Sequence, residues 1–137
     1  MSSFTIESIG AVSSSLTDMN SAPRQPDEGA PAAWLEFHTG MLEGLSSIRV
    51  GDQLMLLTWL DRARRDVLSV YPRGDTSRSK EGVFSTRSPH RPNPIGLHRV
   101  TIIAIDGVRL QVSGLEALDG TPIIDLKPVL NPSVEER

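Results

Sequence analysis

The stretch Ile95-Gly96-Leu97-His98-Arg99-Val100-Thr101-Ile102-Ile103-Ala104-Ile105-Asp106-Gly107-Val108-Arg109-Leu110-Gln111-Val112 decides the architecture. Ile95 to Ile105 is rich in β-branched side chains, which are stiff in a helix and pack well on a pleated surface. Asp106-Gly107 supplies a two-residue hairpin turn, the glycine taking the backbone conformation such a turn needs. Val108 to Val112 then alternates apolar and polar, as a half-buried strand does. The stretch reads as a hairpin of two long antiparallel strands.

Outward from this hairpin the chain reads as further short strands. Phe4 to Val12 alternates loosely, and Trp34 to His38 is a short strand. Gln53 to Leu60 is almost continuously apolar and is expected to be buried on both faces. Asp66 to Tyr71 and Glu81 to Thr86 are expected strands on either side of a polar loop. A second turn at Asp119-Gly120 leads into Thr121 to Lys127, where Ile124 and Leu126 alternate with an outward pair, Asp125 and Lys127. Met41, Leu42, Leu45 and Ile48 recur at helical spacing and predict a short helix over residues 41–48. Residues 13–33, with Pro23, Pro26 and Pro31, form a Ser/Pro/Ala/Asp-rich loop of about 20 residues, longer than ordinary connections. Many short strands separated by turn signals predict an all-β, mainly antiparallel barrel or sandwich with one or two short helices.

Composition narrows the possible functions. At 137 residues the chain fits a single domain, residues 1–137, with no additional C-terminal domain expected. It has no cysteine, which removes disulfides and thiolate chemistry. The three histidines, His38, His90 and His98, have no metal-ligating spacing, so no metal site is expected. No apolar run reaches the roughly 20 residues that span a bilayer, and no signal pattern opens the chain; a cytoplasmic protein without a membrane role is the expectation. There is no Gly-x-Gly-x-x-Gly and no alternation of strands with helices, which disfavours a dinucleotide fold.

The net charge is −3, yet residues 62–99 hold nine of the 14 Lys/Arg against three acids, a local +6 within a remainder of −9. A basic segment in an acidic protein suits an anionic partner such as RNA phosphate. Within it lies Thr86-Arg87-Ser88-Pro89-His90-Arg91-Pro92-Asn93-Pro94-Ile95-Gly96-Leu97. Its three prolines fix φ and remove donors, so it is a stiff loop holding Arg87, His90 and Arg91 at set spacing. Cationic forks on a rigid loop suit carboxylate or phosphate, because little entropy is lost on binding.

Four blocks together resemble the YaeB/TsaA-like proteins. They are Pro23-Arg24-Gln25-Pro26, Trp59-Leu60-Asp61-Arg62, Gly82 through Leu97, and Leu118-Asp119-Gly120-Thr121-Pro122-Ile123-Ile124-Asp125-Leu126-Lys127-Pro128. The resemblance covers nearly the whole chain. It implies a small β-barrel that binds S-adenosylmethionine, usually as a homodimer, and methylates N6 of threonylcarbamoyl-adenosine beside the tRNA anticodon. It further implies a cofactor site drawn from Pro23, Arg24, Gln25, Asp61, Arg62, Arg87, Leu97, Leu118, Asp119, Gly120 and Thr121. On this reading Arg24 or Arg87 would hold the cofactor carboxylate, His90 and Arg91 are candidates to meet tRNA, and Asp61 and His90 are both candidates for a proton acceptor. Two departures stand out. Asp61-Arg62 replaces the histidine and polar residue of many bacterial relatives, and the sequence stops at Arg137, where full-length relatives often continue. The rival readings are a methyltransferase of a small molecule and a non-catalytic S-adenosylmethionine- or RNA-binding module.

Overall fold

The computed structural model describes residues 2–17 and 32–130. Its strands are β1 (Gly10–Ser13), β2 (Ala33–Phe37), β3 (Gln53–Trp59), β4 (Ser69–Val70), β5 (Glu81–Gly82), β6 (Ile95–Asp106), β7 (Arg109–Ser113) and β8 (Pro122–Pro128). Six of them close into a barrel in the order β1-β2-β7-β6-β3-β8, with β4 and β5 as a separate two-stranded ribbon. Every pairing is antiparallel. Closure comes from β1 pairing back onto β8 through Gly10↔Ile123 and Ala11↔Pro122. The expected all-β, antiparallel class is observed, and the β6–β7 hairpin turns at the expected Asp106-Gly107.

The barrel interior is filled by alternate residues of each strand, as the period of two requires. Val12, Leu35, Leu56, Val100, Ile102, Leu110, Val112 and Ile123 point inward, and Leu115 joins them from the β7–β8 connection. Strand β3 is not buried on both faces: Leu54, Leu56 and Thr58 are buried while Met55, Leu57 and Trp59 are half-buried on the outside. A closed barrel gives each strand only one inner face, so a continuously apolar strand must show half its side chains outward.

Other expectations shorten. The strand expected over Phe4 to Val12 begins only at Gly10, and Phe4 is 87% exposed. Its partner β2 ends at Phe37, opposite Gly10, and the pairing closes one residue further on, with His38 N donating to Ile9 O at 3.0 Å and Ile9 N to Ile123 O at 2.8 Å. Asp66 to Tyr71 contributes only Ser69–Val70, paired with Glu81–Gly82. Glu81 to Thr86 leaves the ribbon after two residues for a 3-10 turn at Val83–Ser85. The proline-pinned loop therefore joins that turn, not a barrel strand, to β6. The helix expected over 41–48 is a 3-10 helix at Thr39–Leu45, from which Met41 and Leu45 pack on the core together with Ile48 beyond it.

Antiparallel closure sorts the connections into two ends. The registers Ser13↔Trp34, Ala33↔Val112, Trp59↔Ile95 and Ala11↔Pro122 put the end of β1, the start of β2, the ends of β3 and β7, and the starts of β6 and β8 together. The connections 14–32, 60–94 and 114–121 all leave from this one end. The 38–52 connection and the β6–β7 turn lie at the other.

The alternation makes a direct prediction. Ile102 is fully buried and the adjacent Ile103 is 42% exposed at an irregularity in the β6–β7 register. Ile102→Ala is expected to cost about 2–5 kcal/mol. Ile103→Ala is expected to cost about 0.5 kcal/mol or less. Denaturant unfolding of both variants checks the register; equal costs would contradict it.

Candidate functional site

Strand β3 ends at Trp59, and the chain then makes a compact turn locked against the proline-pinned loop. Leu60 N donates to Pro94 O at 2.8 Å, and Arg91 N donates to Arg64 O at 3.0 Å. Arg65 donates to Pro92 O at 2.7 Å and to Asn93 Oδ1 at 2.9 Å while its guanidinium stacks 5.3 Å from the Trp59 ring centroid. His90 Nδ1 accepts from Arg64 N at 3.0 Å. With three prolines unable to donate, the loop depends on such cross-loop bonds for its shape.

Arg91 holds the same loop from within. Its Nη2 donates to the carbonyl oxygens of Val83 and Thr86. Val83 is fully buried, and the next residue, Phe84, is 78% exposed. Arg91 thus fixes the turn that precedes Arg87. Arg87 itself is exposed and makes no hydrogen bond or ion pair with a described residue.

The β7–β8 connection is sewn to the exit of β1. Asp119 N donates to Leu16 O at 2.6 Å and Gly120 N to Val12 O at 2.7 Å, while Asp119 Oδ1 accepts from Ser14 N at 3.0 Å. Thr121, almost fully buried, donates from Oγ1 to Leu118 O at 2.7 Å. Gly120 has φ of 82° with open space where a Cβ would stand, so the turn needs glycine and leaves its backbone approachable. Arg62 reaches from the β3 exit to the same place, Nη1 donating to Thr17 O at 3.0 Å.

The structure thus brings Arg62 and Leu118–Thr121 together around residues 14–17. The connection carrying Asp61, Arg87, His90 and Arg91 departs from the same barrel end. Leu97 lies on the outer face of β6, opposite Leu57. Pro23, Arg24 and Gln25 lie outside the described residues. Asp61 is exposed and forms no ion pair with Arg62 or Arg65.

The positive charge survives this bracing. Arg62, Arg65 and Arg91 spend their donors on carbonyl and amide oxygens, which fix a guanidinium without cancelling its charge. Arg64 is the exception, in a two-pronged contact with Asp66 at 2.9 and 3.0 Å. The hydrogen bonds from Arg64, and then its charge, hold the Asp66 carboxyl below the usual carboxylate range. Two shallow clefts, of about 170 and 270 Å³, lie at the far end of the barrel around Leu45, Ile48 and Leu126. They touch the motif blocks only at Asp125 to Pro128, the far end of β8. Among the described residues no cluster of His, Asp or Glu has metal-site geometry. No described helix is long and apolar enough to cross a membrane.

Comparison with known proteins agrees with this fold. Residues 11–133 match the model of the tRNA-methyltransferase O N-terminal domain. The chain belongs to this family. An Archaeoglobus fulgidus S-adenosyl-L-methionine-binding protein is 42% identical over 122 residues, covering 89% of this chain and 86% of that protein. A second Archaeoglobus fulgidus protein, a probable S-adenosyl-L-methionine-binding protein, is also 42% identical over 90% of this chain but only 33% of its own length. The crystal structure of TrmO from Pseudomonas aeruginosa superposes with a TM-score of 0.75 at 30% identity, covering 95% of this chain and 56% of that one. The chain therefore spans between a third and most of the length of these relatives.

Sequence reasoning missed one feature of this tRNA-methyltransferase O-family barrel. Thr58, His98 and Glu116 form a buried polar chain, with Thr58 Oγ1 2.7 Å from His98 Nε2 and His98 Nδ1 2.6 Å from Glu116 Oε1. The available signal was the alternation Gly96, His98, Val100, Ile102, which puts one histidine on an otherwise apolar inward face.

The brace formed by Arg91 is testable. Arg91→Ala should lower stability by about 1.5–3 kcal/mol, the range for hydrogen bonds to a charged group. Hydrogen exchange at the Thr86 amide, which donates to Val83 O, should accelerate with it. Unchanged exchange would show that the prolines alone hold the loop.

Proposed function

We propose that the chain binds S-adenosylmethionine at the motif end of the barrel and transfers its methyl group to tRNA, at N6 of threonylcarbamoyl-adenosine beside the anticodon. The observation that carries this reading is the convergence of Arg62 and the Leu118–Thr121 turn around residues 14–17, at the end from which the Arg87 connection also leaves. A relative of nearly this length, named as an S-adenosyl-L-methionine-binding protein, supports the cofactor assignment.

The residues present suit the cofactor. The exposed Arg87 fork can grip a carboxylate bidentately. The Gly120 backbone, open on its Cβ side, can approach a nucleoside closely. When bound, the cofactor supplies an electrophilic methyl group. The chain's own task is positioning, since in-line displacement gains most from holding donor and acceptor in line.

Acceptor chemistry divides the remaining roles. A carbamoylated N6 is poorly basic, so a proton acceptor helps. His90 Nδ1 already accepts from Arg64 N, which places the proton of the neutral ring on Nε2. His90 is therefore a donor suited to phosphate or to the carbamoyl oxygen, and the exposed Asp61 carboxylate is the proton acceptor. Arg62, Arg65 and Arg91 keep their charge and add a positive field for RNA. In this reading the half-exposed outer side chains Leu57, Trp59, Ile95 and Leu97 pack against a second copy, since they form one cross-strand patch. A cytoplasmic location fits this role.

Calorimetric titration with S-adenosylmethionine tests the reading, and Arg87→Ala should weaken binding by about 1.5–3 kcal/mol. Absence of heat at millimolar cofactor would contradict it. Methyl transfer to unfractionated tRNA should vanish after nuclease pretreatment; survival of the activity would point to a small-molecule acceptor. Sedimentation should find a dimer that Leu57→Glu dissociates, and a monomeric wild type would remove the interface.

A further inference from the structure

The buried chain of Thr58, His98 and Glu116 links three separate segments at the motif end. Thr58 on β3 is fully buried and His98 on β6 is 5% exposed. Glu116 lies in the β7–β8 connection between the buried Leu115 and Ala117, two residues before Leu118. Gly96 makes room for the contact: a Cβ there would stand 2.6 Å from His98 Nε2 and collide with Thr58 Oγ1. The chain therefore ties the turn carrying Leu118–Thr121 to the interior wall of the barrel.

Its hydrogen arrangement follows from the donors available. With the ring neutral, Nδ1–H donates to Glu116 Oε1, and Nε2 accepts from the Thr58 hydroxyl. Glu116 Oε2 is then left as a pure acceptor. It is buried and has no hydrogen-bond partner among the described residues. A carboxylate oxygen out of water without a donor is a cost that a latch alone would not require, because one acceptor suffices to hold the ring. Bare lone pairs beside a ligand-binding turn point to a donor that arrives with the ligand.

We propose that Glu116 Oε2 accepts a hydrogen bond from an N–H or O–H donor of the cofactor held at the Leu118–Thr121 turn, with His98 and Thr58 as positioning residues that aim the carboxylate. This inference rests on the cofactor reading above. S-adenosylmethionine and S-adenosylhomocysteine offer three donor types: the α-ammonium, the ribose hydroxyls and the adenine amine. Thr58→Val or His98→Leu would free the carboxylate to turn and should weaken binding less than loss of Glu116 itself.

The test titrates the full chain, Glu116→Gln and Glu116→Met with S-adenosylhomocysteine and with three analogues, each lacking one donor type. Thermal melts establish that the variants fold, and the Gln variant serves if the Met variant does not. Both should bind S-adenosylhomocysteine at least tenfold more weakly than wild type. That deficit should shrink below about threefold for the analogue lacking the contacted donor. In wild type, the His98 Nδ1–H resonance should move on saturation with ligand, as the carboxylate gains a second donor. Equal affinity of variants and wild type would overturn the inference while leaving the cofactor reading intact. A loss of the same size against every analogue would also overturn it, making Glu116 a strut of the fold. Failure of wild type to bind at all would remove both.

Discussion

Closure of the barrel through the short β1–β8 pairing is the constraint on which the rest depends. Once six antiparallel strands form a ring, every connection must leave from one end or the other. Here three connections that carry the sequence motifs leave from the same end. Segments 45 and 105 residues apart in sequence, Thr17 and Arg62, and Ser14 and Asp119, become hydrogen-bonded neighbours. The single inner face of the ring also sets the core, and leaves apolar residues of β3 and β6 on the outer face.

Stiffness at that end comes from arginines as much as from prolines. The loop before β6 has few backbone donors of its own, so its geometry rests on Arg65 and Arg91 bonded to its carbonyls and on His90 bonded to a backbone amide. These bonds leave the positive charge in place. A basic segment that looks in sequence like a display of free cations is, in the structure, mostly a frame. Arg87 stands outside that frame, exposed, which gives it a different part from Arg91 four residues on.

What could be read in the sequence followed local physics. The β6–β7 hairpin was legible because alternation, β-branched content and an Asp-Gly turn agree. The strand β3 was legible as an element but not in its burial, because barrel curvature exposes Met55, Leu57 and Trp59. The strands expected around Asp66–Tyr71 and Glu81–Thr86 shrank to a two-residue ribbon, since Arg64, Arg65 and Arg91 hold the flanking chain in turns that no propensity scale records. The Thr58–His98–Glu116 chain was illegible for a different reason. Its members are 40 and 18 residues apart, and only the register of β3 on β6 and the return of the β7–β8 connection bring them together.

The central claim is that the three connections at one barrel end form a single ligand site. Amide hydrogen exchange with and without S-adenosylmethionine tests it directly. The account predicts slowed exchange confined to the 14–32, 60–94 and 114–121 connections, with no change around Met41, Leu45 and Ile48. Protection centred on the clefts at that opposite end would contradict it.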